Sequence, residues 1–220
     1  MSNRYTRMLA AGGAAVLVAA LRVPAALAAV TAKTWTVQPG GAVHATSSGP
    51  FTFIDITTGV WIKCQSSTAS GTLKSGSGLA GAGIGKITPV TFKGSGPNSE
   101  CAGAGGPLFT VQAGGLPWHV NFFSYGAPKG VAWGTISHLH IALSGNGCTA
   151  VIDGTSGTAL DGRVRFRYAD STGQLTALAT GGNLHWYDVS SGCLGLVNSG
   201  DPAALGAAYA MTPKQVITSP

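Results

Sequence analysis

Apolar and polar residues alternate with a period of two along most of this chain. The pattern is clearest in RVRFRYAD, where Val164, Phe166 and Tyr168 fall on one face and Arg163, Arg165 and Arg167 on the other. The segment runs through Asp170-Ser171-Thr172-Gly173 into QLTALAT, which predicts a hairpin. FTFIDI–TTG–VWIKC and VNFFSY–GAPKG–VAWGTI predict two more, each turning on a loop that contains glycine. TWTV, ITPVTF, LFTVQ, TAVID, LHWYDV, AAYAM and QVIT are shorter candidates. Ten or more short strands this closely spaced predict an all-β protein, an antiparallel sandwich or barrel-like fold. Only DPAALGAA reads otherwise: Asp201 and Pro202 suit the start of a helix that Gly206 limits to a turn or two. A faint internal echo joins GKITPVTFKGSG (85–96) to GTISHLHIALSG (134–145), with His138 and His140 aligned on Pro89 and Thr91.

Composition strengthens the β reading. The chain holds 34 glycines, and each interior Gly weakens a helix by about 1 kcal/mol relative to Ala. The glycine-rich tract SGTLKSGSGLAGAGIG (70–85) reads as a mobile surface loop, and no boundary divides residues 29–220, which are expected to form a single all-β domain.

The N-terminus has a different character. Arg4 and Arg7 precede an uncharged apolar run, Met8–Leu21, and Ala26-Leu27-Ala28 offers a small-residue cleavage signal. This is the layout of a secretory signal peptide, residues 1–28, and the run is shorter than the roughly 20 residues that cross a bilayer. A protein that is secreted, free or held at the cell surface, and has no transmembrane helix in its mature form is expected. Without Arg4, Arg7 and Arg22, ten basic residues face seven acidic ones, so net charge falls from +6 to about +3. That mild excess gives no ground for nucleic-acid binding.

Export gives the cysteines their reading. Cys64, Cys101, Cys148 and Cys193 are even in number and contain no CxxC, which predicts two disulfides. Three pairings are possible, and joining neighbours along the chain, Cys64–Cys101 and Cys148–Cys193, is favoured. Loops of that length contribute about 4 kcal/mol each in the chain-entropy view.

Candidate chemistry is sparse. His138 and His140, two apart in a strand, share a face and can reach one ion; His119 or His185 could complete a zinc site, which makes a metal-dependent hydrolase the alternative reading. The competing reading puts Leu139, Ile141 and Leu143 in the core and both histidines in solvent. Asp55 and Asp188 are the only acids within strand-like segments, too few for a paired-carboxylate site unless they face each other. Asp153, Asp161 and Asp170 read as turn residues. No serine sits in a G-x-S-x-G elbow, GSGLAG (76–81) lacks the strand and helix of a dinucleotide site, and no cofactor is implied. Arg163, Arg165 and Arg167 are a sharper feature, able to hold the carboxylates or phosphates of an anionic polymer, or else to guard a sheet edge. His119 with Trp118, and His185 with Trp186, mark aromatic clusters that suit a small ligand or, more commonly, a core.

The phrases TTGVWIKCQSSTASGTLKSGSG, GLPWHVN, LSGNGCTAVIDGTSGTA, TGGNLHWYDVSSGCLGL and NSGDPA resemble a family of small secreted actinobacterial proteins of unknown function, over roughly residues 34–220. The resemblance implies export and two cysteine pairs, and brings no activity, cofactor or catalytic residue. The expectation is a secreted, disulfide-stabilised β protein that binds a small ligand or an anionic cell-surface polymer without catalysis. A β-barrel of an outer envelope is a further alternative, which must then place three arginines toward lumen or lipid.

Overall fold

The alternating segments are strands. The computed structural model describes residues 33–220, so the predicted leader, residues 1–28, lies outside the described residues. In chain order the strands are β1 (Thr34–Gln38), β2 (Gly41–Ser47), β3 (Phe51–Asp55), β4 (Trp61–Cys64), β5 (Ser66–Leu73), β6 (Gly76–Ala80), β7 (Gly85–Lys93), β8 (Cys101–Gly103), β9 (Leu108–Gly114), β10 (Trp118–Tyr125), β11 (Val131–Gly145), β12 (Cys148–Asp153), β13 (Gly162–Ala169), β14 (Gln174–Leu178), β15 (His185–Tyr187), β16 (Ala203–Thr212) and β17 (Val216–Thr218). Among the described residues the only helical element is one 3-10 turn, Ser191–Cys193. The three hairpins predicted from the pattern are β3–β4, β10–β11 and β13–β14.

Pairing closes the sheet into rings. Strands β10, β7, β5, β2, β16, β14, β13 and β11 are hydrogen-bonded in that order, and β11 pairs back onto β10. An eight-stranded ring has an interior that side chains just fill. Val43, Leu73, Val120, Phe122, Phe166 and Tyr168 fill this one, and Trp35, Val37 and Ile217 of the small sheet β17–β1–β6 join the same cluster. A second ring shares two strands with the first. Beyond His138, β11 pairs with β9 and β12, and the first residues of β16, Ala203–Gly206, pair with β3. Strands β4, β8 and β15 and a bridge between His185 and Pro202 complete it around Phe53, Ile62, Ile141, Ile152 and Trp186. Both disulfides pair as expected and lie in this second ring: Cys64–Cys101 links neighbouring strands β4 and β8, and Cys148–Cys193 ties β12 to the 3-10 turn.

A bulge lets β11 serve both rings. Ala132, Gly134 and Ile136 face the first core; Leu139, Ile141 and Leu143 face the second. The phase changes because His138 is an extra residue between Ser137 and Leu139, with a left-handed φ of 67°. Strand β7 slips at the aligned place, with Thr88 and Pro89 opposite Ser70, so Ile87 is followed inward by Val90 and Phe92. The echo between 85–96 and 134–145 is therefore matched by a shared bulge, and both strands flank β10.

Three expectations are corrected. Residues 70–85 are not a loose loop but the end of β5, the whole of β6 and the start of β7. Small residues there permit close packing: a Cβ on Gly71 would lie 2.1 Å from the Lys86 carbonyl oxygen. DPAALGAA is not a helical turn but the entry to β16, where Ala203, Ala204 and Leu205 are all buried as the strand passes between the rings. Strand β13 is no sheet edge, since β11 and β14 flank it, so its arginines do not guard one. Both rings are apolar inside, and β13 places its arginines on the outer side. Among the described residues no helix is long and apolar enough to cross a membrane.

Candidate anion-binding face

Because Val164, Phe166 and Tyr168 are buried, β13 has to present Arg163, Arg165 and Arg167 outward, about 7 Å apart along the strand. Register places Ser137, Thr135 and Trp133 of β11 beside them in turn, and Leu178 and Thr176 of β14 beside Arg165 and Arg167. One strand further, His119 and Asn121 of β10 oppose Ser137 and Thr135. The Arg165 guanidinium lies 5.2 Å from the centre of the Phe123 ring, itself 47% exposed. Its aliphatic stem crosses Gly181, where a Cβ would come within 2.3 Å of Cδ, and its Nε is buried without a hydrogen-bond partner. Trp133 is pinned by its Nε1 donating to the Ala127 carbonyl. No carboxylate lies within ion-pair distance of the column; among the described residues the one contact of that kind is His140 with Asp153.

The histidines divide instead of converging. The bulge turns exposed His138 toward His119, with ring centres 4.5 Å apart, and Lys86 of β7 pairs in register with His119. Desolvation first, then the neighbouring His138 and Lys86, holds the His119 imidazole below its usual range. Asn121 Nδ2 donates to Ser137 Oγ, and Ser137 Oγ lies 3.3 Å from His138 Nδ1. His140 is committed elsewhere, its Nδ1 2.9 Å from Asp153 Oδ2. His185 donates from Nδ1 to the Asn183 carbonyl. Among the described residues no three His, Cys, Asp or Glu side chains gather as a metal site, so His138 and His140 are not joined by His119 or His185 around one ion. Leu139, Ile141 and Leu143 are buried, as the competing reading required, but of its two solvent-facing histidines only His138 is exposed.

The tryptophans are also reassigned. Trp118 and Trp186 are 5% and 1% exposed and belong to the core, so neither offers a stacking surface. The aromatic residues that do reach the arginine face are Phe123 and Trp133, which sequence reasoning did not single out. The signal was present for Trp133, which alternates in phase with Thr135 and Ser137. Asp153 is not the turn residue that its sequence context predicts. It is the buried end of β12, its Oδ1 accepting from Gly154, Asp161 and Gly162 and its Oδ2 from Leu160 and His140. Of the two strand acids, Asp55 is fully buried and Asp188 is exposed beyond the end of β15.

Charge is segregated between the rings. The first ring with its covering sheet and turns carries nine basic residues and one acid, Asp170; the second carries Lys63 alone against Asp55, Glu100, Asp153, Asp161, Asp188 and Asp201. Arg163 and His185 both line a groove of about 320 Å³ at the rim between them. No protein-family model, curated protein or solved structure matches this chain.

Proposed function

We propose that this protein works outside the cell as a non-enzymatic binder, holding an anionic cell-surface polymer across the outer face of β10, β11 and β13. Export rests on the leader-like N-terminus, and two disulfides accord with an oxidising compartment. The observation that carries the binding reading is the column Arg163–Arg165–Arg167, unpaired with any carboxylate and flanked by Phe123 and Trp133. Guanidinium groups match carboxylates and phosphates in a two-pronged geometry, and flat aromatic rings beside them suit the apolar faces of sugar units. The basic first ring draws a polyanion toward this face and the acidic second ring repels it, which orients the encounter.

The test is retention of the protein, lacking residues 1–28, on immobilised polygalacturonate, with a neutral glucan as control. Retention on the acidic polymer alone, weakening steadily as salt rises, is expected. Replacing the three arginines together by glutamine should abolish it, and unchanged retention of that variant rules the reading out.

A further inference from the structure

The groove at the rim between the rings has a composition of its own. It opens where β14 ends at Leu178 and the chain turns through Gly181 and Gly182 before β15. The turn is pressed so closely on β13 that a Cβ on Gly182 would lie 2.3 Å from the Arg163 carbonyl oxygen. This leaves room between β13, the β14 end and the entry of β16. The volume, about 320 Å³, sits at the small end of the range of roughly 300–1,000 Å³ in which proteins hold small molecules. Its walls are mainly apolar, from Leu178, Leu184 and the buried start of β16, and Ile56 on its edge is 56% exposed. No acidic residue lines it. Arg163 supplies the one permanent charge. His185 also lines it, its Nδ1 donating to the Asn183 carbonyl. Asn183 Oδ1 is a buried acceptor without a partner.

An apolar trough with one cation and no anion selects a ligand with the opposite layout. We propose that this groove binds a small amphipathic carboxylic acid, its carboxylate on Arg163 and its hydrocarbon part along Leu178, Leu184 and Ile56. The site adjoins the polymer face: Arg163 belongs to both, and Leu178 and Gly181 of the groove lie beside Arg165.

Octanoate titrated into the protein lacking residues 1–28, followed by amide chemical shifts, tests this. Saturable shifts confined to residues 178–185, Arg163 and Ile56 are expected, with octan-1-ol binding at least tenfold more weakly. Arg163→Gln should weaken octanoate about tenfold. Ala179→Trp, at an exposed position on the groove wall, should block it while leaving thermal stability unchanged. Arg167→Gln should leave octanoate binding intact while it weakens polygalacturonate retention, which separates failure of this site from failure of the polymer face. Octanol binding as well as octanoate, shifts that do not saturate, or full binding to the Ala179→Trp protein would each overturn the assignment.

Discussion

Asp153 shows how one side chain can organise a segment. Among the described residues no other carboxylate accepts as many bonds, and it accepts them with none of its surface in water. Four are backbone N–H groups from 154 and 160–162, so the carboxylate shapes the connection from β12 to β13 and sets where the arginine column begins. Asp153→Asn replaces an acceptor-only group by one with two N–H donors facing other donors, and should cost about 3 kcal/mol in urea denaturation at neutral pH. Acid should act through the same group. Burial pushes this carboxyl up, but His140 and the amides of Gly154, Leu160 and Asp161 outweigh it and hold it below the usual range. A carboxyl depressed in the folded state stabilises the protein above its unfolded value, near pH 4, and that contribution disappears as pH falls through the lower folded value. Stability of the native chain should therefore drop below about pH 4, with a shallower slope in Asp153→Asn. His138 makes a second residue-scale case. Its φ of 67° suits glycine better, so His138→Gly should relieve up to about 1 kcal/mol of strain. It should also raise the His119 titration midpoint by removing a repelling neighbour, which an NMR titration reads directly.

At the level of elements, alternation was a sound guide wherever a strand has one wet and one dry face. RVRFRY is the plainest instance, and its outward arginines are the part of the candidate site that could be read from the chain itself. Two kinds of strand escaped. In β5 and β6 the pattern is carried by Ser, Thr and Gly, whose side chains are too small to advertise a face. At the start of β16 alanines are buried on consecutive positions, because the strand is covered on both sides and alternation has no meaning there. The histidine partners escaped for another reason: a bulge at residue 138 turns His138 toward β10 and His140 toward β12, and an unbroken two-residue period cannot express that. Glycine in β5 gives a prediction at this scale. Gly71→Ala thrusts a Cβ to 2.1 Å from the Lys86 carbonyl, a backbone atom held in the β5–β7 ladder, and should cost at least about 2 kcal/mol. Gly49→Ala, with nothing within 4 Å and an ordinary φ, should be nearly neutral in the same denaturation experiment.

For the molecule as a whole, the decisive feature is that β11 and β16 belong to both rings. Neither ring keeps its closure if the other loses these strands, so the two cores should melt together even though their composition differs. The disulfides sharpen this expectation because both lie in the acidic ring, closing sequence separations of 37 and 45 residues. Each is worth about 4 kcal/mol in the chain-entropy view, a large part of the 5–15 kcal/mol that stabilises a typical domain. Removing Cys148–Cys193 by a paired change to serine should thus lower the melting temperature of the whole protein, including the Trp35 and Phe166 core that contains no cysteine. Tryptophan fluorescence samples both cores, through Trp35 in one and Trp186 in the other, and amide exchange resolves them separately. Coincident loss of protection in the two rings is the expected result. If the cysteine-free ring kept its protection at temperatures where the other had opened, the shared strands would not couple them, and the arginine face would stand on a unit that folds without help from the crosslinked one.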